Sequence, residues 1–165
     1  MKTILAAIDF SPATTVVVAS ASSLARSIDG RVVLLNVTPP PPVVAEPGGF
    51  GAEVVRMSEA ATEAAIQELE RLEDALEEDN VHCDIIHQTG DPVVIILEQA
   101  KKLAADYVVL GSHGHTALFD LIVGSTAGAI LRHSPCPVVI VPRQRPPAAR
   151  AKPASARRSV PVGAG

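Results

Sequence analysis

Large aromatic side chains are nearly missing from this 165-residue chain, which has three phenylalanines, one tyrosine and no tryptophan. Without aromatics interleaved among basic residues, and without a nucleic-acid motif, nucleic acid is not the expected partner. Cysteine is scarce as well. Cys83 and Cys136 make no disulfide framework and read as free thiols of a reducing compartment. Long apolar runs are lacking too, so no segment is expected to span a bilayer. The start, "MKTILAAIDFSP", reaches an aspartate at position 9 before an export signal could form, which makes the expected location cytoplasmic. No Gly-Lys dipeptide and no G-x-G-x-x-G occur, which excludes a P-loop and a dinucleotide fingerprint. The five histidines (82, 87, 113, 115 and 133) have no cysteine at zinc spacing, so no metal site is expected.

Charge is absent in one sign over one region. All 18 acidic residues precede residue 143, where only eight Lys and Arg stand, giving residues 1–142 a formal charge of −10. The six other basic residues fall in "RQRPPAARAKPASARRSVPVGAG", which has no acid. That Pro/Ala-rich stretch, 143–165, lacks periodicity and is expected to be disordered. Its plain reading is a solvated extension that leaves ligand affinity unchanged; the sharper one is a basic arm that touches nucleic acid, an anionic membrane or a partner.

What is present is the pattern of one α/β domain over 1–142. The hydrophobic share of 47% and mean hydropathy of +0.28 suit a folded core. "TILAAI" (3–8), "RVVLLNV" (31–37), "VHCDIIHQ" (81–88), "DYVVLGS" (106–112) and "PVVIVP" (137–142) are apolar runs without the alternation of half-exposed strands, as in a buried parallel sheet. Helices are expected between them. One starts at Ser11 as cap with Pro12 behind it and ends at Gly30. A second, 53–80, carries Val55, Ala61, Ala65, Leu69, Leu72 and Leu76 on one face. A third follows the cap Asp91 with Pro92, and a fourth covers 125–133. Residues 38–52, with five prolines, read as a long loop. The fold class is therefore a doubly wound α/β sandwich on a five-stranded parallel sheet. Strand order does not follow from the pattern.

"GSHGHTALFDLIVGST" (111–126) holds the main functional question. Asp9, Val37 and Gly111 follow strand ends, where open parallel sheets bind ligands, and can converge although far apart in the chain. Glycine lets a phosphate approach the backbone, and a helix start supplies amides. Gly111 and Gly114 offer the approach, Gly124, Ser125 and Thr126 the amides and hydroxyls, and Asp9 an acceptor for ribose hydroxyls. The plainer alternative makes Asp9 a helix cap and the glycines left-handed turns. Asp120 could accompany Mg²⁺ or be a solvated turn residue. No Lys or Arg stands in 103–131, which argues against rapid phosphoryl transfer.

The spacing Gly111, Gly114, Gly124-Ser125 resembles the G-x2-G-x9-G-[S/T] signature of the universal stress proteins. "ILAAIDFSP", "VVLLNV", "TGDP", "ADYVVLGSHGHT" and "LRHSPCPVVIVP" are similar to that family's segments, in its order. The resemblance covers 1–142 and implies strand order 3-2-1-4-5 with homodimerisation through the last strand. It further implies an ATP or other adenine-nucleotide site, with or without Mg²⁺. By position, Asp9 would meet the ribose, the main chain of Val37 the adenine, and Ala7 and Leu110 the pocket border. Gly111 would lie near the ribose, and Gly114, Gly124, Ser125 and Thr126 around the phosphates. Ala7 departs from the proline common in ATP-binding members. The expected function is a nucleotide-responsive regulatory dimer read by a protein partner, with no catalytic residue. The alternatives are a slow ATPase or an enzyme phosphorylating itself on Ser125 or Thr126, and a scaffold with an empty groove.

Overall fold

Each of the five apolar runs becomes a strand. In the computed structural model, residues 1–40, 50–112 and 124–142 are described, with 50–52 by backbone alone. The strands are β1 (Lys2–Ile8), β2 (Gly30–Thr38), β3 (Cys83–Thr89), β4 (Tyr107–Gly111) and β5 (Val138–Val141). They alternate with α1 (Thr14–Ile28), α2 (Phe50–Glu78), α3 (Pro92–Lys102) and α4 (Ser125–His133). All pairings are parallel, and the order is β3-β2-β1-β4-β5, so β3 and β5 form the edges.

Side chains of consecutive strand residues divide between two cores, because a strand points alternately to either face. Ile4, Ala6 and Ile8 of β1 join Val32 and Leu34 of β2 beneath α1 and α2. Leu5 of β1, Val33 and Leu35 of β2, and Val108 and Leu110 of β4 pack with α3 and α4 on the other face. Burying each such Leu or Ile contributes about 2–3 kcal/mol of transfer free energy. This is why the runs lack polar alternation.

Several boundaries move relative to the sequence expectation. The first helix begins later, since Ser11 forms the turn before it by accepting Thr14 N–H on its carbonyl (2.9 Å) and Ala13 N–H on its Oγ (3.2 Å). It ends at Asp29, which is left-handed (φ 52°), while Gly30 opens β2. The second helix starts at Phe50, taking three residues from the expected loop 38–52; residues 41–49 lie outside the described ones. Its apolar face docks only in part. Ala65, Leu69 and Leu76 are buried, whereas Ala61 is exposed and Val55 is 54% exposed. Length explains this. A helix of 29 residues spans about 43 Å, and the nine-residue β2 only about 30 Å, so the first turns of α2 overhang the sheet. The Asp91 cap and Pro92 stand as the sequence suggests, with Asp91 Oδ1 accepting Val94 N–H at 3.0 Å. The expected disorder of 143–165 falls outside the described residues.

At the amino end of the sheet, Asp106 accepts from Lys2 Nζ (2.7 Å) and from Thr3 N–H (2.8 Å). These bonds hold its carboxyl below the ordinary carboxylate range. Burial, followed by the carboxylates of Glu73 and Asp84, pushes the Cys83 thiol up to about 12, which leaves it protonated and unreactive at neutral pH. Among the described residues no helix is long and apolar enough to cross a membrane.

Ala104 is exposed and left-handed (φ 46°), a conformation that costs an L-residue about 1–2 kcal/mol. Ala104→Gly is expected to raise the unfolding free energy by about 0.5–1 kcal/mol, after the entropy glycine adds to the unfolded chain. Denaturant midpoints check this, and a lowered midpoint contradicts it.

Candidate functional site

The chain leaves β1 for α1 on one face and leaves the adjacent strand β4 towards α4 on the other. A crevice opens where the two connections part. It is a cavity of about 790 Å³, lined from the end of β1 and the turn after it by Ala7, Ile8, Asp9 and Phe10 and from β2 by Leu35, Asn36, Val37 and Thr38. On the β4 side it is lined by Leu110, Gly111 and Ser112, and from α4 by Gly124, Ser125 and Thr126. Ala7, Asp9, Val37, Leu110, Gly111, Gly124, Ser125 and Thr126, all singled out in the sequence, thus share one cavity. Gly114 lies outside the described residues, as do His113, His115 and Asp120.

The two described glycines answer the question of turn against close approach. Gly124 has φ −56° and ψ 160°, open to any L-residue, and Gly111 is a strand residue without a positive φ. Neither backbone requires glycine. Both positions border the cavity. The left-handed alternative fails at these two positions.

Gly124 donates its N–H to the Ser112 carbonyl (2.9 Å), which seats the start of α4 beside the end of β4. Helical geometry leaves the first amides of α4 without intrahelical acceptors, and among the described residues no side-chain cap bond is made at its N-cap, Gly124. No acid stands in that first turn, and the start of the helix, its positive end, borders the cavity. Asp9 has two duties. Its Oδ1 accepts Ser11 N–H at 3.0 Å, which organises the turn into α1, and the residue lines the cavity as well. This bond is not the helix cap weighed in the sequence, because α1 begins at Thr14 with Ala13 as its N-cap and no side-chain cap bond.

The cavity floor is pinned by Asn36, which is buried. Its Nδ2 donates to the Ile8 carbonyl (3.0 Å), so its Oδ1 is the acceptor for His87 Nδ1–H (3.1 Å) and, at 3.5 Å, for the Thr38 hydroxyl. One side chain thereby ties the carboxyl ends of β1, β2 and β3. Thr14 Oγ1, on another lining residue, is buried with no hydrogen-bond partner among the described residues.

Sequence reasoning missed part of the lining. Phe10 is left-handed (φ 56°), a strained state for a bulky residue, and nothing in "IDFSP" signals it. Ala65 is buried as its place on the apolar face of α2 suggests, but it also walls the cavity with Ala61, Ala64 and Glu68. A helical stripe of alanine rather than leucine was the available signal.

The match to the universal stress protein family covers residues 1–142. The chain belongs to that family. Universal stress protein A homolog 1 of Coxiella burnetii is 33% identical over 142 residues, which covers 85% of this chain and 95% of that one. Among solved structures, hypothetical protein MJ0577 shares the fold at TM-score 0.76, with 24% identity, 88% of this chain and 98% of that chain. A universal stress protein family protein from Arabidopsis thaliana, solved with AMP bound, shares it at TM-score 0.61 and 22% identity, over 88% of this chain and 98% of that chain. As a universal stress protein, the molecule has the parallel sheet and the strand order 3-2-1-4-5 that the resemblance implied.

Asn36→Ala removes the acceptor of His87 and the donor to Ile8. It is expected to lower the unfolding free energy by about 2–3 kcal/mol through lost and unsatisfied buried hydrogen bonds. Urea unfolding checks this, and a change below about 0.5 kcal/mol contradicts the pinning role.

Proposed function

We propose that this universal stress protein is a cytoplasmic adenine-nucleotide-binding regulator, with ATP as its ligand, acting as a homodimer. The observation that carries this is the pair Gly111 and Gly124, bare where the backbone does not demand it and both bordering one cavity. Around them stand the groups a nucleotide uses. Asp9 accepts ribose hydroxyls, the main chain of Val37 meets the adenine edge, and Ala7 and Leu110 give apolar border. Amides and hydroxyls of Ser125 and Thr126 hold phosphate oxygens at the start of α4. The structural relative with AMP bound supports an adenine ligand.

Mg²⁺ enters here as a companion of the triphosphate. Among the described residues no group of three or more His, Cys, Asp or Glu is placed to hold a metal. Thr38 and Pro39 line the cavity, as does α2. Occupancy therefore touches both flanks of the proline-rich segment, and a protein partner would read the change. The dimer rests on β5. This four-residue strand lies at a sheet edge, and pairing two copies through residues 137–142 about a two-fold axis would close it. Two unpaired cysteines accord with a reducing cytoplasm.

Binding rather than turnover is favoured by the described lining, whose charged members, Asp9 and Glu68, are both carboxylates. Developing negative charge on a transferred phosphoryl group would find no partner there. The test is thermal stabilisation by ATP in the wild type, Asp9→Ala and Gly124→Val. Both variants are expected to fold and to lose the stabilisation. Saturating ATP at about 100-fold over Kd gives the wild type about 2.7 kcal/mol. Equal stabilisation of all three proteins contradicts the assignment. Turnover of γ-labelled ATP at ordinary enzyme rates, lost in Asp9→Ala, would replace the regulatory reading with the enzymatic one.

A further inference from the structure

Ile8, Asn36 and His87 are direct neighbours across three strands and form one row near the carboxyl ends of β1, β2 and β3. Side chains join the row crosswise. Asn36 Nδ2 donates to the Ile8 carbonyl at 3.0 Å, and His87 Nδ1–H donates to Asn36 Oδ1 at 3.1 Å. A carbonyl can only accept, so Ile8 sets the orientation of the amide, and the amide in turn requires the proton on His87 Nδ1. His87 Nε2 is buried with no hydrogen-bond partner among the described residues, so within them Nδ1 alone ties the ring. His87 itself does not line the cavity.

The two residues that carry the ribose and base contacts adjoin this row. Asp9, the ribose acceptor, follows Ile8, and Val37, whose main chain meets the base, follows Asn36. The peptide unit between Ile8 and Asp9 is planar, so a hydrogen bond on the Ile8 carbonyl also fixes the plane from which Asp9 departs. Beyond Asp9 the chain passes through left-handed Phe10 (φ 56°), a conformation that its surroundings must sustain. Asn36 therefore links the two contacts, bonded to the strand of one and part of the strand of the other. The amide is buried, and its Oδ1 accepts from His87 and, at 3.5 Å, from the Thr38 hydroxyl. Without the ring it loses its nearer donor, and its hold on the Ile8 carbonyl loosens.

We infer that His87 is a positioning residue of the nucleotide site and that, through Asn36, it sets the preference for a ribonucleotide over its 2′-deoxy form. This rests on the nucleotide reading of the cavity. A ligand anchored by its base at Val37 reaches Asp9 only when the two lie at the right separation, which the Asn36 amide fixes. A ribose hydroxyl donating to a carboxylate makes a charge-assisted hydrogen bond, and hydrogen bonds weaken steeply as their geometry is lost. The 2′-deoxy form lacks one of the hydroxyls that Asp9 accepts. Displacing Asp9 therefore weakens recognition of the sugar while the base and phosphate contacts stay in place. An edge-strand residue 51 positions from Asn36 in the chain thus governs selectivity without touching the ligand.

The test is calorimetric titration of the full chain with ATP and with 2′-deoxy-ATP, in the wild type, His87→Leu, His87→Ala and His87→Asn. Leucine and alanine lack the donor, whereas asparagine keeps an amide N–H close to the place of Nδ1–H. The wild type is expected to bind ATP about tenfold or more tightly than the deoxy form, the worth of a hydrogen bond to a carboxylate. In His87→Leu and His87→Ala the two affinities are expected to converge to within about threefold, with deoxy-ATP bound as in the wild type. His87→Asn is expected to restore most of the discrimination. An unchanged ratio in the leucine and alanine variants, or no recovery in His87→Asn, overturns the inference. Equal weakening of both ligands overturns it as well, because that marks a purely structural role. So does failure of both donor-less variants to fold, since His87 would then hold the strand and not the ligand's geometry. Equal binding of the two nucleotides by the wild type overturns the inference and leaves the nucleotide site standing. Absence of binding of either nucleotide to the wild type overturns the nucleotide reading and the inference together.

Discussion

The site depends on one topological constraint, namely that adjacent strands β1 and β4 send their connections to opposite faces of the sheet. Two layers of packed helices cannot both cover the place where the chain parts. A crevice results without any side chain having to open it. Everything else at the site modifies that gap. Gly111 and Gly124 border it, Asn36 holds its floor, and the alanines of α2 line its wall. The strained turn at Phe10 sits on its rim, where surrounding packing sustains a conformation that costs about 1–3 kcal/mol.

Electrostatics divides the molecule along the same axis. At the amino end of the strands, cations meet carboxylates in pairs such as Lys2–Asp106 and Arg31–Asp84. At the carboxyl end the described lining carries Asp9 and Glu68, the latter paired with Arg71, and backbone amides at the start of α4 offer positive character. Backbone dipoles can orient a phosphate, but they do not cancel several formal charges next to Asp9.

Much of this was readable from residues alone, for physical reasons that can be named. Strands buried on both faces must be continuously apolar, so "TILAAI" and "RVVLLNV" identified themselves. Asp91-Pro92 marked a helix start because both residues act locally. The convergence of Asp9, Val37 and Gly111 followed from their places at strand ends. What was not readable depended on tertiary geometry. The start of α1 moved because Ser11 uses its carbonyl and hydroxyl in a turn, a choice composition does not reveal. The periodic face of α2 gave no hint that Val55 would overhang the sheet while Leu69 is buried, since periodicity carries no information on where the sheet stops. Strand order came from family resemblance and not from pattern.

The central claim is that the space left by bare backbone at the ends of β1 and β4 accepts an adenine nucleotide. A crystal structure of the full chain grown with excess ATP tests it most directly. The account predicts a nucleotide in the crevice with its ribose at Asp9, its base against the main chain of Val37, and its phosphates at the amides of Ser125 and Thr126. A crevice filled by protein atoms, or ATP bound only elsewhere, would contradict it.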